Sequence, residues 1–336
     1  MKQRVYYLDL LRGFAILMVI LLHSIGTYLT PRLYGTASWL PFLSVNALTR
    51  TGVPLFLMIS GALLLSSEGT ADMGRFYKKR ITHLLLPLLF WNAAYFVYNY
   101  LMGQSVFDPA AFLSKLLNSG TKYHLWYMYT MIAIYLVAPF LKMLVDKCTL
   151  KQLTWLMILM TFGTTLRPFI NTVTPLYLYL FDPLFNGYIG CFLLGYILYK
   201  TDYNKVRVSL AALTGVAALI FSVYIHHTKS SEKALNLILN NGYSLCHYAL
   251  AAAIFVLIKC LFERKAPLAG AVALLSKLSF GMYLLHVAVI ELIRRFIMID
   301  GTPIVCSAYV FLLSTAVSLL AAFLLSKIKY VRKLVI

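Results

Sequence analysis

Charge is scarce in this chain of 336 residues: 12% is Asp, Glu, Lys or Arg, while 61% is hydrophobic. Soluble domains run near a quarter charged, so an ordinary water-soluble globule is excluded. Cysteine is sparse as well. The five (Cys148, Cys191, Cys246, Cys260 and Cys306) form no C-x-x-C pair, and four lie in apolar runs, so neither a disulfide framework nor a zinc site is indicated. Polar–apolar alternation is missing from the long apolar runs, which excludes strands as the main element. Lys2 and Arg4 precede an apolar run, yet that run carries Asp9 and Arg12 and has no small-x-small cleavage site, so it reads as a retained first helix. Acids are the scarcest of all, 11 against 30 Lys and Arg, for a net charge of +19. Basic patches with interleaved aromatics are absent outside the loops, which sets nucleic acid aside as a partner and leaves membrane topology as the cause.

What is present is a series of apolar stretches of about 20 residues, the length that spans a hydrocarbon core as helix. Ten emerge, over 8–29, 41–65, 80–101, 124–144, 150–170, 183–200, 206–225, 243–262, 278–297 and 302–326. With the N-terminus cytoplasmic, alternate loops place 20 Lys and Arg on that side and 8 on the other, with Arg12 and Arg50 inside spans. That bias predicts an all-α polytopic membrane protein of ten transmembrane helices with both termini cytoplasmic. Residues 1–336 then form a single ten-helix domain with no appended soluble domain, and no internal repeat is visible.

Ionisable groups inside spans are costly and face a cavity or one another. Arg12 and His23 are 11 positions apart, about 16 Å and three turns, so they share one face of the first helix. Asp9 shares that face and can pair with Arg12. The geometry suits an elongated donor with a phosphorylated head at Arg12 and a reactive group near His23. A histidine is the natural general base there, because its pKa lies closest to neutral. The bland alternative makes His23 a helix–helix hydrogen bonder and Arg12 a snorkelling cation. Arg50, nine residues into the second span, needs an anionic or carbonyl partner, and Asp182 or Glu291 could supply it. Arg80 and His83 open the third span beside Lys78 and Lys79, while His124 and Trp126 open the fourth, where Trp also suits the interfacial belt. His286 lies mid-span with Ser279 and Tyr283 at i−7 and i−3 on one face, as a catalytic group or as a satisfied core histidine. His226, His227 and His247 have no metal-ligand spacing, and no metal is expected.

Five strings along the chain resemble acyltransferase family 3. "YYLDLLRGFAILMVILLHS" resembles the family's first helix, with Arg, ten residues, then His, at Arg12 and His23. "TRTGVPLFLMISGALLL", "FYKKRITHLLLPLLFW", "HLWYMYTMIAIYLVAPFLK" and "LSKLSFGMYLLHVAVI" resemble its second, third, fourth and penultimate helices, in order and over essentially the whole chain. The resemblance implies a bacterial inner-membrane enzyme, with no permanently bound cofactor. It would take an acyl group, usually acetyl, from cytoplasmic acyl-CoA and place it on envelope glycans or lipid-linked sugars. His23 would be the catalytic histidine, as general base or as acyl relay, Arg12 its motif partner, and Arg12, Arg80 and His83 the donor-binding groups. Arg50, His124, Trp126, Ser279, Tyr283 and His286 are the acceptor or oxyanion candidates. Many members carry Arg-x-x-Arg where this chain reads Arg80-Ile-Thr-His83, an imidazole in place of the second guanidinium. Some append a hydrolase-like domain that receives the acyl group, for which this chain leaves no room. The rival from another class is a transporter or exporter of a lipid-linked glycan or small anion. A structural membrane protein without chemistry would leave the Arg12–His23 alignment unexplained.

Overall fold

A computed structural model describes residues 5–26, 28–29, 33–118, 120–161, 187–228, 245–297 and 300–336. Among them every regular element is helical: α1 (Tyr6–Ile25), α2 (Trp39–Thr49), α3 (Gly52–Leu65), α4 (Met73–Leu101), α5 (Pro109–Asn118) and α6 (Trp126–Lys147). Then come α7 (Leu150–Thr161), α8 (Gly187–Lys200), α9 (Lys205–Thr228), α10 (Leu245–Phe262), α11 (Ala269–Phe296), α12 (Pro303–Lys327) and the short α13 (Arg332–Val335). In lipid each backbone N–H and C=O must find its partner within the protein, and a helix supplies it within one segment. Eight stretches are long and apolar enough to cross a bilayer, and they coincide with eight of the ten expected segments. The other two, 150–170 and 183–200, run into residues 162–186, outside the described ones. Their described parts are α7 and α8. Large apolar side chains are exposed along the outward faces of α4 (Leu86, Leu89), α9 (Leu213, Ile220) and α12 (Leu312, Leu320). A patch of that extent on a folded chain marks a surface meant for something other than water. The protein is an all-α, multi-pass membrane protein.

Three boundaries differ from the expected ones, each for a local reason. The expected single helix 41–65 is broken at Arg50–Thr51 into α2 and α3. Pro54 has no N–H for the Arg50 carbonyl and its ring crowds that oxygen. Thr49 and Thr51 turn their hydroxyls back onto the carbonyls of Asn46 and Leu48, at 2.9 and 2.7 Å. The joint therefore lies at the one guanidinium of this span. α4 starts at Met73 rather than at 80, because Asp72 caps it by accepting the Arg75 N–H at 3.1 Å. Lys78, Lys79 and Arg80 are consequently helical. α11 starts at Ala269 instead of 278, so the small and apolar residues 269–275, together with Ser276 and Lys277, are helical as well.

Two cores hold the bundle. One joins α1, α3, α4, α6, α7, α8 and α10; the other joins α1, α4, α6, α11, α12 and α13. α3 and α8 touch backbone to backbone, since a Cβ on Gly61 would lie 1.8 Å from the Phe192 carbonyl oxygen and one on Gly195 2.0 Å from that of Met58. Small residues allow this approach, which is how membrane helices gain dispersion contact when lipid competes for apolar surface. Phe56 and Tyr127 pack against both cores and mark the seam between them.

Candidate active site

A cavity of about 540 Å³ opens at that seam, and His23, Arg50, His124, Trp126, Tyr127 and Tyr283 are among its walls. Five of these were candidates in the sequence, drawn from four separate strings. α1 brings His23 there near its C-terminal end, half-buried with its ring onto the space. The last carbonyls of α1 have no intrahelical donor. Arg294 of α11 supplies one, donating from Nη2 to the oxygens of Ser24 at 2.8 Å and His23 at 3.3 Å, with its guanidinium 5.6 Å from the Tyr28 ring centre.

Three imidazoles gather at this end. The His23 ring lies 5.2 Å from that of His286 and 5.1 Å from the Tyr123 ring; His286 in turn lies 5.2 Å from His124. His286 is fully buried behind the cavity wall, with Nδ1 2.7 Å from the Tyr283 carbonyl oxygen. A carbonyl only accepts, so Nδ1 carries the proton and Nε2 presents a lone pair, which has no hydrogen-bond partner among the described residues. The buried His124 ring leans toward the Leu284 carbonyl. That oxygen already accepts the Tyr95 hydroxyl at 2.7 Å, and the His124 nitrogens make no well-formed hydrogen bond to described residues.

His124 sits on a 3-10 turn, Tyr123–Leu125, anchored by a polar network the sequence did not announce. Gly120, at φ +93°, makes the bend that leads into it. Asn92 and Asn99 of α4 hold the backbone of Thr121 at 2.7 and 3.1 Å. The buried Lys122 ammonium donates to Asn99 Oδ1 and Gln104 Oε1, both at 2.8 Å, and pairs with Glu291 of α11 at 3.0 Å. This settles one alternative for Arg50: Glu291 is not its partner, being held by Lys122 and Gln104. Asp182, the other proposed partner, lies outside the described residues. Among the described residues no ion pair reaches Arg50, and its Nε has no hydrogen-bond partner.

The other predicted groups lie elsewhere. Arg12, nearer the start of α1, is one-third exposed and lies 3.9 Å from Asp9, as expected. Ser276 of α11 bridges them, accepting from Arg12 at 3.3 Å and donating to Asp9 at 2.6 Å. Ser276, rather than Ser279, is thus the serine that engages α1. Ser279 donates to the Ser276 carbonyl of its own helix and does not line the cavity. Tyr283 lines it, but its hydroxyl already donates to the His124 carbonyl at 2.5 Å, which removes it as a free oxyanion donor. Arg80 and His83 are exposed on α4, away from the cavity. Two tyrosines of α6 bridge the gap. Tyr135, bonded to Ser60, lies within electrostatic reach of both Arg12 and Arg80, and Tyr127, two turns away in the cavity wall, lies within reach of Arg12. Phenols at i and i+8 in an apolar helix were the available signal for this stripe. Among the described residues no group of three His, Cys, Asp or Glu is disposed to hold a metal ion.

A family model described as an acyltransferase domain matches residues 5–327. No curated protein and no solved structure matches the chain.

Proposed function

Because the chain belongs to acyltransferase family 3, and is therefore a membrane acyltransferase, we propose that it moves an acyl group, acetyl in the first instance, from cytoplasmic acyl-CoA to a hydroxyl of a cell-envelope glycan or lipid-linked sugar. The bundle carries this out in a bacterial inner membrane, with ten spans and both termini in the cytoplasm. The observation that carries the reading is the convergence of His23, Arg50, His124, Trp126 and Tyr283 on one cavity.

The donor enters from the basic end. Its phosphates meet Arg12, which Asp9 and Ser276 hold in place, and the exposed Arg80. Guanidinium forks match phosphate oxygens. The pantetheine arm follows the Tyr135–Tyr127 stripe, and the thioester comes to rest near His23, about 16 Å along α1 from Arg12. The acceptor arrives from the opposite side. His23 accepts the proton of its hydroxyl, and the oxygen attacks the thioester carbonyl. The tetrahedral intermediate then collapses: the C–S bond breaks, the ester forms, and the imidazolium returns its proton to the leaving thiolate. His286 positions the His23 ring by contact, and the walls exclude the water that would hydrolyse the thioester.

Purified protein mixed with radiolabelled acetyl-CoA and a glycan acceptor tests this in a single turnover. Wild type transfers label and His23→Ala does not. If wild type neither binds coenzyme A nor cleaves its thioester, the proposal fails in favour of a transporter.

A further inference from the structure

The cavity has a charge imbalance that acyl transfer to a neutral sugar does not use. Among the described residues none of its lining side chains is acidic, while Arg50 and two histidines are among them. Arg50 lies within electrostatic reach of His23 and of the fully buried His247. The nearest carboxylate of α11, Glu291, is held by Lys122 and Gln104. One turn before Arg50, Asn46 also lines the cavity; it is 2% exposed, and its amide nitrogen has no hydrogen-bond partner among the described residues. The same wall continues into Val53 and Pro54, the first turn of the 14-residue α3, whose dipole adds to the positive potential.

A guanidinium withdrawn from bulk water is costly unless an anion compensates it. An oxyanion in the reaction exists only briefly and leaves that charge uncompensated for the rest of the cycle. An anion carried by the bound acceptor compensates it throughout. The donor's phosphates are accounted for at the other end, by Arg12 and Arg80. We infer that Arg50 and Asn46 form an anion subsite, and that the acceptor is a glycan bearing a negative group, phosphate or carboxylate, next to the hydroxyl that is acylated. This rests on the acyltransferase reading for its kinetic form. The subsite itself rests only on the cavity.

The test uses the full-length protein in lipid nanodiscs and three acceptors: octyl glucoside, octyl glucuronide and octyl glucosyl phosphate. In wild type the better of the two charged glycosides has a KM about tenfold below that of the neutral one, as charge-assisted pairing with a fork of donors requires. Whichever charged probe has the lower KM identifies the anion. Arg50→Gln removes this discrimination, raising the KM for the charged acceptors to that of the neutral one while the KM for acetyl-CoA stays within about twofold, and Arg50→Lys, which keeps the charge but not the fork, restores part of it. Equal KM values in wild type overturn the inference. So does an Arg50→Gln defect that falls on kcat alike for all three acceptors, or on the KM for acetyl-CoA. Binding of octyl phosphate, measured by calorimetry without any acyl donor, separates this from the fate of the function itself. About a tenfold weakening in Arg50→Gln supports the subsite even if wild type transfers no acyl group, and equal binding by the two proteins overturns it.

Discussion

The two ends of α1 handle positive charge in opposite ways. Near its start, Arg12 is one-third exposed and is braced by an acid and a hydroxyl. Near its finish, His23 faces aromatic rings, and the neighbouring Arg50 has no acid among the described residues of the cavity wall. A solvated cation with a local partner exchanges that partner for a mobile polyanion at little cost, which suits capture and release. A cation behind low-dielectric walls acts far more strongly on what it touches and excludes water. On the proposed mechanism, capture and chemistry divide along one helix, with about three turns between them.

The sharpest way to break that comparison is His23→Ala. Transfer should fall about a thousandfold, within the range for loss of a positioned general base, while binding of a non-hydrolysable acyl-CoA analogue by calorimetry stays unchanged. Loss of donor binding would put capture and chemistry at the same place. Next in size is Lys122→Ala, which leaves Glu291 without its cation behind the His124 turn. Thermal unfolding in detergent should show a loss of about 2 kcal/mol, below the usual figure for a buried pair because Glu291 is partly exposed. The double variant with Glu291→Gln should be less damaged than the single one, and equal damage would sink the network. Smaller again are Arg12→Ala and Arg80→Ala, each raising the KM for acyl-CoA about tenfold at low salt and less at high salt, since the rim is screened by ions. A salt-independent effect would move those arginines out of the solvated rim. Smallest is His83→Ala, below about twofold by the same exposed-site argument, whereas His83→Arg should lower the donor KM slightly. A large His83 effect would make the exposed flank of α4 part of the capture site.

Legibility differed in the same way between the ends. The Asp9–Arg12 contact followed from i,i+3 spacing on one helix, and it is present. The partner of Arg50 could not follow from spacing. Glu291 was one of two acids expected to serve, yet it pairs with Lys122, a residue that charge counting placed in a loop. Ser279 and Tyr283 were expected on one face with His286, and their hydroxyls donate to the carbonyls of Ser276 and His124. Face periodicity says where a side chain points and nothing of what it meets. The break at Arg50 was readable in principle from Pro54, four residues on, but a continuous apolar run concealed it.

From sequence alone came the helical class, the membrane setting and the segments that coincide with long apolar helices, together with the short set of polar residues in the wrong solvent. Lipid offers the backbone no hydrogen bonds, so length and hydropathy suffice for that much. Only the tertiary structure decided which of those polar residues share a cavity and which are spent on partners. Those contacts join segments far apart in the chain, through helix packing that depends on shape, such as the glycine contacts of α3 and α8, and no periodicity within one helix encodes them.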